Sequence, residues 1–186
     1  MKTEKRENSP TIDKIVEPRK RLLRSSGLRP MLLQVSGDRM AVEVALQVKM
    51  ALESHAESSI AILVDPTNPS AKSIKQAISK ELRNLAINHH APMNSRERVT
   101  DRFDRSYVII DSWNAVKGVE FEAVILVGID FMTEALEDSD RNFETKAGLY
   151  TAMTRAKDHL VFVYENKTAI VALLETALNA PEQLRD

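Results

Sequence analysis

Ile60-Ala61-Ile62-Leu63-Val64 is an unbroken apolar run closed by Asp65-Pro66, and a helical pattern follows it from Ser70 to Ile87. A strand without polar positions is buried on both faces of its sheet, which parallel strands achieve by sending their connections across as helices. The helix agrees, because Ile74, Ala77, Ile78, Leu82 and Leu85 form one stripe that can pack down on a sheet. Upstream, Arg39 to His55 carries Ala41, Val44, Val48, Ala51 and Leu52 on one helical face, and Met31 to Val35 reads as the strand before it. Downstream, residues 88 to 105 form a polar connection with room for one helical turn. Tyr107 to Ile110, Ala123 to Val127 and Leu160 to Tyr164 read as further strands. Thr168 to Asn179 closes the chain as a helix with Ile170, Val171, Leu174, Ala177 and Leu178 inward. Alternating strands and helices define a three-layer α/β domain over residues 31–180, with a mostly parallel sheet and helices on both faces. A polar lead segment (residues 1–30) precedes it, with a possible helix from Thr11 to Arg24, and a short tail (residues 181–186) follows.

Composition fits one soluble domain: 186 residues, 43% hydrophobic and 28% charged. No apolar run approaches the roughly 18 residues that span a bilayer. The chain has no cysteine, which excludes disulfides, thiol chemistry and cysteine-ligated zinc and fits a reducing, cytoplasmic interior. Of four histidines only His89 and His90 are neighbours, and adjacent side chains point apart, so no metal site is expected. The formal net charge is -1, yet residues 1–30 carry nine Lys/Arg against four Asp/Glu. Such a segment is either a phosphate-seeking arm or a solvated end.

An α/β ATPase that works alone needs a glycine loop ending in Gly-Lys-Ser/Thr to wrap the phosphates. The glycines are Gly27, Gly37, Gly118, Gly128 and Gly148, and none precedes a lysine. Asp65, Asp111 and Asp130 end strands where a magnesium-holding carboxylate could sit, but without a phosphate loop they read as ordinary strand-end polar residues. By itself the chain is not expected to hydrolyse ATP.

Two segments carry chemistry. In Ile110-Asp-Ser-Trp-Asn-Ala-Val-Lys-Gly-Val-Glu-Phe-Glu-Ala-Val-Ile-Leu-Val127 a strand ends, a turn presents Ser112, Asn114 and Lys117, and Gly118 allows tight backbone before the next strand. Polar groups beyond the carboxyl end of a parallel strand lie where such sheets bind ligands, although a plain connection would look the same. Trp113, the only tryptophan, is either a base-stacking platform or a buried aromatic. In Ala147-Gly-Leu-Tyr-Thr-Ala-Met-Thr-Arg-Ala156 a helix is expected, with Leu149, Met153 and Ala156 on the core side. Gly148, Thr151 and Arg155 fall on another face, where small residues would admit a second surface and place a guanidinium at the contact. Arginine forks onto phosphate oxygens, the property that phosphoryl-transfer sites borrow from a neighbour; its commoner fate is a surface carboxylate partner.

Taken together, the two segments resemble UvrD-like superfamily 1 helicases. Lys117-Gly-Val-Glu-Phe-Glu-Ala-Val-Ile125 is similar to their fifth motif, usually Lys-Gly-Leu-Glu-Phe-Asp before a strand, and Leu149-Tyr-Thr-Ala-Met-Thr-Arg-Ala-Lys157 to their sixth, Leu-Tyr-Val-Ala-Leu-Thr-Arg-Ala. More weakly, Ile60 to Ile78 resembles the fourth motif with its helix, and Leu23 to Pro30 the stretch before it. The resemblance implies the second RecA-like domain of an ATP-dependent DNA helicase, of P-loop NTPase type but without its own phosphate loop. It implies ATP with Mg2+ held mainly by a first RecA-like partner domain, and single-stranded DNA as a further partner. Arg155 would be the catalytic arginine finger, with Glu120 near the ribose and Gly118 beside the nucleotide. Ser112, Trp113, Asn114 and Lys117 would face DNA or the nucleotide cleft.

There are departures from the family pattern. Val64-Asp65 stand where the family often has an aromatic residue and an arginine, so either Lys72 substitutes or nucleotide sensing is weakened. Asn114 replaces the usual histidine of the fifth motif. The short link from the fourth-motif helix to the next strand leaves no room for the family's large inserted subdomain. That compact form resembles the branch of helicase IV and the RNA-polymerase-associated HelD, which would add RNA polymerase as a partner. The alternative is a degenerate, non-catalytic helicase-like module that binds nucleic acid or a protein.

Overall fold

A computed structural model of the chain describes residues 28–54, 58–92, 108–116, 118–131 and 147–179. The Thr11–Arg24 helix, most of the 88–105 connection, and Lys117 lie outside the described residues. The strands are β1 (Met31–Gln34), β2 (Ile60–Val64), β3 (His89–His90), β4 (Val108–Ser112), β5 (Phe121–Val127) and β6 (Ala156–Tyr164). They form one sheet in the order β1-β6-β5-β2-β4-β3, and every pairing is parallel. The helices are α1 (Met40–Ser54), α2 (Ala71–Asn84), α3 (residues 147–153) and α4 (Ala169–Asn179), with a 3-10 turn at Trp113–Val116 after β4.

Strand alternation divides the interior into two cores. Ile60, Ile62, Val64, Val108, Ile110, Ile125, Val127, Val161 and Val163 face α1 and α2, where they meet Val44, Val48, Ile78 and Leu82. Ala61, Leu63, Ile109, Val124, Leu126, Phe162 and Tyr164 face the other way, against Trp113, Leu149, Ala152, Ile170 and Val171. Each central strand therefore needs apolar residues at successive positions, which is why β2 reads as a continuous run.

The structure departs from the sequence expectation in three places. A sixth strand, β3, extends the edge beyond β4. His89 is held there by Ser79 Oγ at 2.7 Å and by the Ile87 carbonyl at 2.9 Å. The helix expected over Ala147–Ala156 stops at residue 153; Thr154 and Arg155 form a turn, and Ala156 already belongs to β6. The early start of β6 follows from register, because Phe121 pairs with Ala156 and its N–H donates to the Arg155 carbonyl at 2.8 Å.

The reversal of strand order lies between β2 and β5, and the polar groups at that end serve the fold. Asp65 is fully buried and turns back into its own loop, where its Oδ1 accepts the Thr67 N–H at 2.8 Å and the Thr67 hydroxyl at 2.7 Å. Burial raises its pKa, and the Thr67 bonds oppose the rise. The loop thus engages Oδ1, while Oδ2 is buried without a hydrogen-bond partner among the described residues. Asp111 accepts Lys75 Nζ at 3.3 Å and the Ser112 N–H at 2.7 Å. Asp130 Oδ2 accepts the N–H groups of Glu165 and Asn166 at 3.3 and 3.0 Å.

Candidate functional site

Two parallel strands bring the candidate residues together at the amino ends of β5 and β6. Phe121 pairs with Ala156 and donates its N–H to the Arg155 carbonyl at 2.8 Å, which brings the backbone around Glu120 up to that of Arg155. Gly118 lies just before, with φ +85° and open space around the position a Cβ would take. Its conformation, not packing, excludes other residues there.

Arg155 ends the turn that leaves α3. Its Nε donates to the Thr151 carbonyl at 3.2 Å, and its Nη2 donates to Thr154 Oγ1 at 3.2 Å. Both acceptors are neutral, and no carboxylate among the described residues pairs with this guanidinium. The side chain is half-buried, so its charge is held at the surface and left uncompensated.

The helix face assigned to a second surface needs correction. Gly148 is buried, and a Cβ built on it would lie 3.5 Å from Asn114 Oδ1 and 3.6 Å from Trp113 Nε1. The small residue admits this chain's own 113–114 turn, not a partner. The outward residues of α3 are Ala147 and Tyr150, with Tyr150 69% exposed. Trp113 is 2% exposed and belongs to the core beneath α3, so its ring has no free face for a base and the DNA-stacking assignment gives way to a structural one. Asn114 is exposed in the turn. Ser112 is level with Val127, because both pair with Val64, and so lies at the opposite end of the sheet from Glu120. Seven β5 residues separate those ends, about 20 Å. The described backbone thus ties Arg155 to Phe121, next in sequence to Glu120, and sets Ser112 apart.

Sequence reasoning missed the clamp that fixes this edge. Glu122 in β5 accepts the Ser59 N–H at 3.0 Å and the Ser59 hydroxyl, and pairs with Lys157 Nζ at 3.2 Å. Burial pushes its pKa up, but the Ser59 bonds and Lys157 outweigh this and hold it down to about 2. A depressed carboxylate contributes stability above its ordinary pKa of 4.5 and loses it as pH falls toward 2. The side chain is 37% exposed, so solvent screening limits the contribution to about 1 kcal/mol. Glu122→Gln should be less stable than wild type by about that amount at pH 7 in urea denaturation, with the gap narrower at pH 3 and closing toward pH 2. An equal gap at both pH values would remove the clamp from the account.

With the fold and this edge described, the class is a parallel α/β domain that presents an arginine and lacks a phosphate loop. Residues 107–163 match the family model of the UvrD-like helicase C-terminal domain, a span that includes both motifs. Among solved structures, the C-terminal domain of a possible DNA helicase from Lactobacillus plantarum WCFS1 is similar at a TM-score of 0.56 and 21% identity, over 82% of this chain and 84% of that one. The likeness establishes the shared fold. The ATPase domain of a Thermus phage large terminase is more distant, with a TM-score of 0.42 and 14% identity over 80% of this chain and 64% of that one. No curated protein sequence matches the chain. Among the described residues, no helix is long and apolar enough to cross a membrane.

Proposed function

We propose that this chain is the second RecA-like half of a UvrD-like, ATP-dependent DNA helicase, and that Arg155 reaches the γ-phosphate of a nucleotide held by a first RecA-like domain. The observation that carries the reading is the Arg155 guanidinium, held on two neutral oxygens and unpaired by any carboxylate among the described residues, at the strand edge that Phe121 shares with it. A permanent charge next to a carboxylate suited to ribose hydroxyls matches the two ends of a nucleotide.

The fit to ATP is one-sided. Gly118, Glu120 and Arg155 can touch a nucleotide from one side, whereas wrapping the phosphates requires the glycine loop that this chain lacks. Among the described residues no cluster of His, Cys, Asp or Glu could hold a metal ion, so Mg2+ would be held by the partner. Bound there, ATP supplies the hydrolysis that drives movement along DNA. Single-stranded DNA would be the further partner, with Ser112, Asn114 and Lys117 as its candidate contacts.

The non-catalytic reading draws on Val64-Asp65 and on the missing phosphate loop; of the two, Asp65 has one carboxylate oxygen bonded within its own loop. A polymerase partner rests only on the compact form of the sequence, and this proposal does not require one.

The purified chain should show no ATP turnover, with or without single-stranded DNA, in a coupled phosphate-release assay. Turnover that follows the chain through successive chromatographic steps would refute the division of labour proposed here.

A further inference from the structure

We infer that Thr154 is a positioning residue for Arg155, an inference that rests on the proposed role of that arginine and says how its guanidinium is aimed. Three hydrogen bonds close a small ring at the end of α3. Thr154 Oγ1 donates to the Thr151 carbonyl at 2.9 Å, Arg155 Nη2 donates to Thr154 Oγ1 at 3.2 Å, and Arg155 Nε donates to the same Thr151 carbonyl at 3.2 Å. The backbone beneath the ring is fixed from both sides. Thr154 N–H donates to the Tyr150 carbonyl at 3.0 Å, Arg155 N–H to the Ala152 carbonyl at 3.1 Å, and the Arg155 carbonyl accepts from Phe121 of β5.

A guanidinium has five N–H donors, and the ring uses one on Nε and one on Nη2. Both hydrogens of Nη1 and the second of Nη2 stay available, and a neighbouring pair from Nη1 and Nη2 is a fork that matches two phosphate oxygens. The chemistry of the acceptors matters as much as their position. A carboxylate at position 154 would hold the guanidinium more strongly and cancel its charge. A hydroxyl backed by a carbonyl holds it and leaves the charge intact. Thr154 is exposed, so these bonds add little to folding stability, and their consequence is orientation before the nucleotide arrives.

Two measurements test this on the full chain. With 15N-labelled arginine, Arg155 Nε–H exchange and rotation about its Cζ–Nε bond should be slow in wild type and Thr154→Ser. In Thr154→Val, which keeps the Nε bond to the Thr151 carbonyl but loses the Nη2 bond, rotation about Cζ–Nε should speed up toward that of solvent-exposed arginines. In the second, turnover of MgATP with an oligo-dT strand is followed in the complex with the phosphate-loop domain. Thr154→Val should lower kcat about tenfold with KM unchanged, and Thr154→Ser should stay within about twofold of wild type. Arg155→Ala is measured beside them. If it abolishes turnover while Thr154→Val turns over like wild type, Thr154 has no positioning role. Rotation about Cζ–Nε as slow in the valine variant as in wild type would exclude that role equally. If Arg155→Ala keeps wild-type turnover, the parent reading of Arg155 fails instead, and the rotation measurement alone decides whether Thr154 holds the guanidinium.

Discussion

In the complex with its phosphate-loop partner, Arg155→Ala should cut ATP turnover about a thousandfold, the usual scale for an arginine finger. That corresponds to about 4 kcal/mol of transition-state stabilisation. The loss should fall on kcat more than on nucleotide binding, because the charge matters most as the γ-phosphate departs. Folding should be nearly unchanged, since the side chain bonds only to Thr151 and Thr154 in its own turn. Arg155→Lys should restore little, because an ammonium cannot fork across two oxygens. Steady-state kinetics beside a thermal melt separates these effects. Near-normal turnover in the alanine variant would mean that the arginine does not face the nucleotide, and the non-catalytic module would become the better reading.

The second large effect concerns Trp113, where burial replaces the base-stacking role with a structural one. The indole is 2% exposed, packs with Leu149, Ala152 and Phe162, and lies against Gly148. Truncation to alanine should cost about 3 to 5 kcal/mol, the range for removing a large buried aromatic side chain. As the only tryptophan it also reports on itself. Its emission should be blue-shifted in the native chain, shift red on urea unfolding, and stay unquenched when single-stranded DNA is added. Strong quenching by DNA, with stability unaffected in Trp113→Ala, would return the residue to the nucleic-acid surface.

How much was legible in the sequence depended on which interactions were local. The central strands could be read because burial on both faces leaves no polar position, as in Ile60–Val64. His89–His90 could not, since two half-buried histidines at a sheet edge carry no apolar signal and are placed by Ser79, Ile87 and β4. The end of α3 was misjudged for a similar reason. Ala156-Lys157-Asp158 has no strand-like alternation, and pairing with β5 pulls it into β6.

Of the site, the presence of Arg155 and Glu120 in paired motifs was legible, and their adjacency follows from β5–β6 register. Helical periodicity located Gly148 off the Leu149 stripe but could not say whether this chain or a partner fills the space beside it. Trp113 and Asn114 fill it, through a connection that crosses the face of the sheet. The direction of Asp65 was set by Thr67, two residues on, and Asp-Pro-Thr is a turn signal that sequence reasoning can use.

The most direct test of the central claim is complementation in trans. A phosphate-loop RecA-like domain from the same system would be assayed for ATP hydrolysis, with saturating MgATP and single-stranded DNA, before and after adding the full chain. The account predicts that turnover rises steeply on addition of wild type and stays at the basal level on addition of Arg155→Ala. A partner that binds the chain yet hydrolyses ATP at the same rate with and without it would contradict the claim.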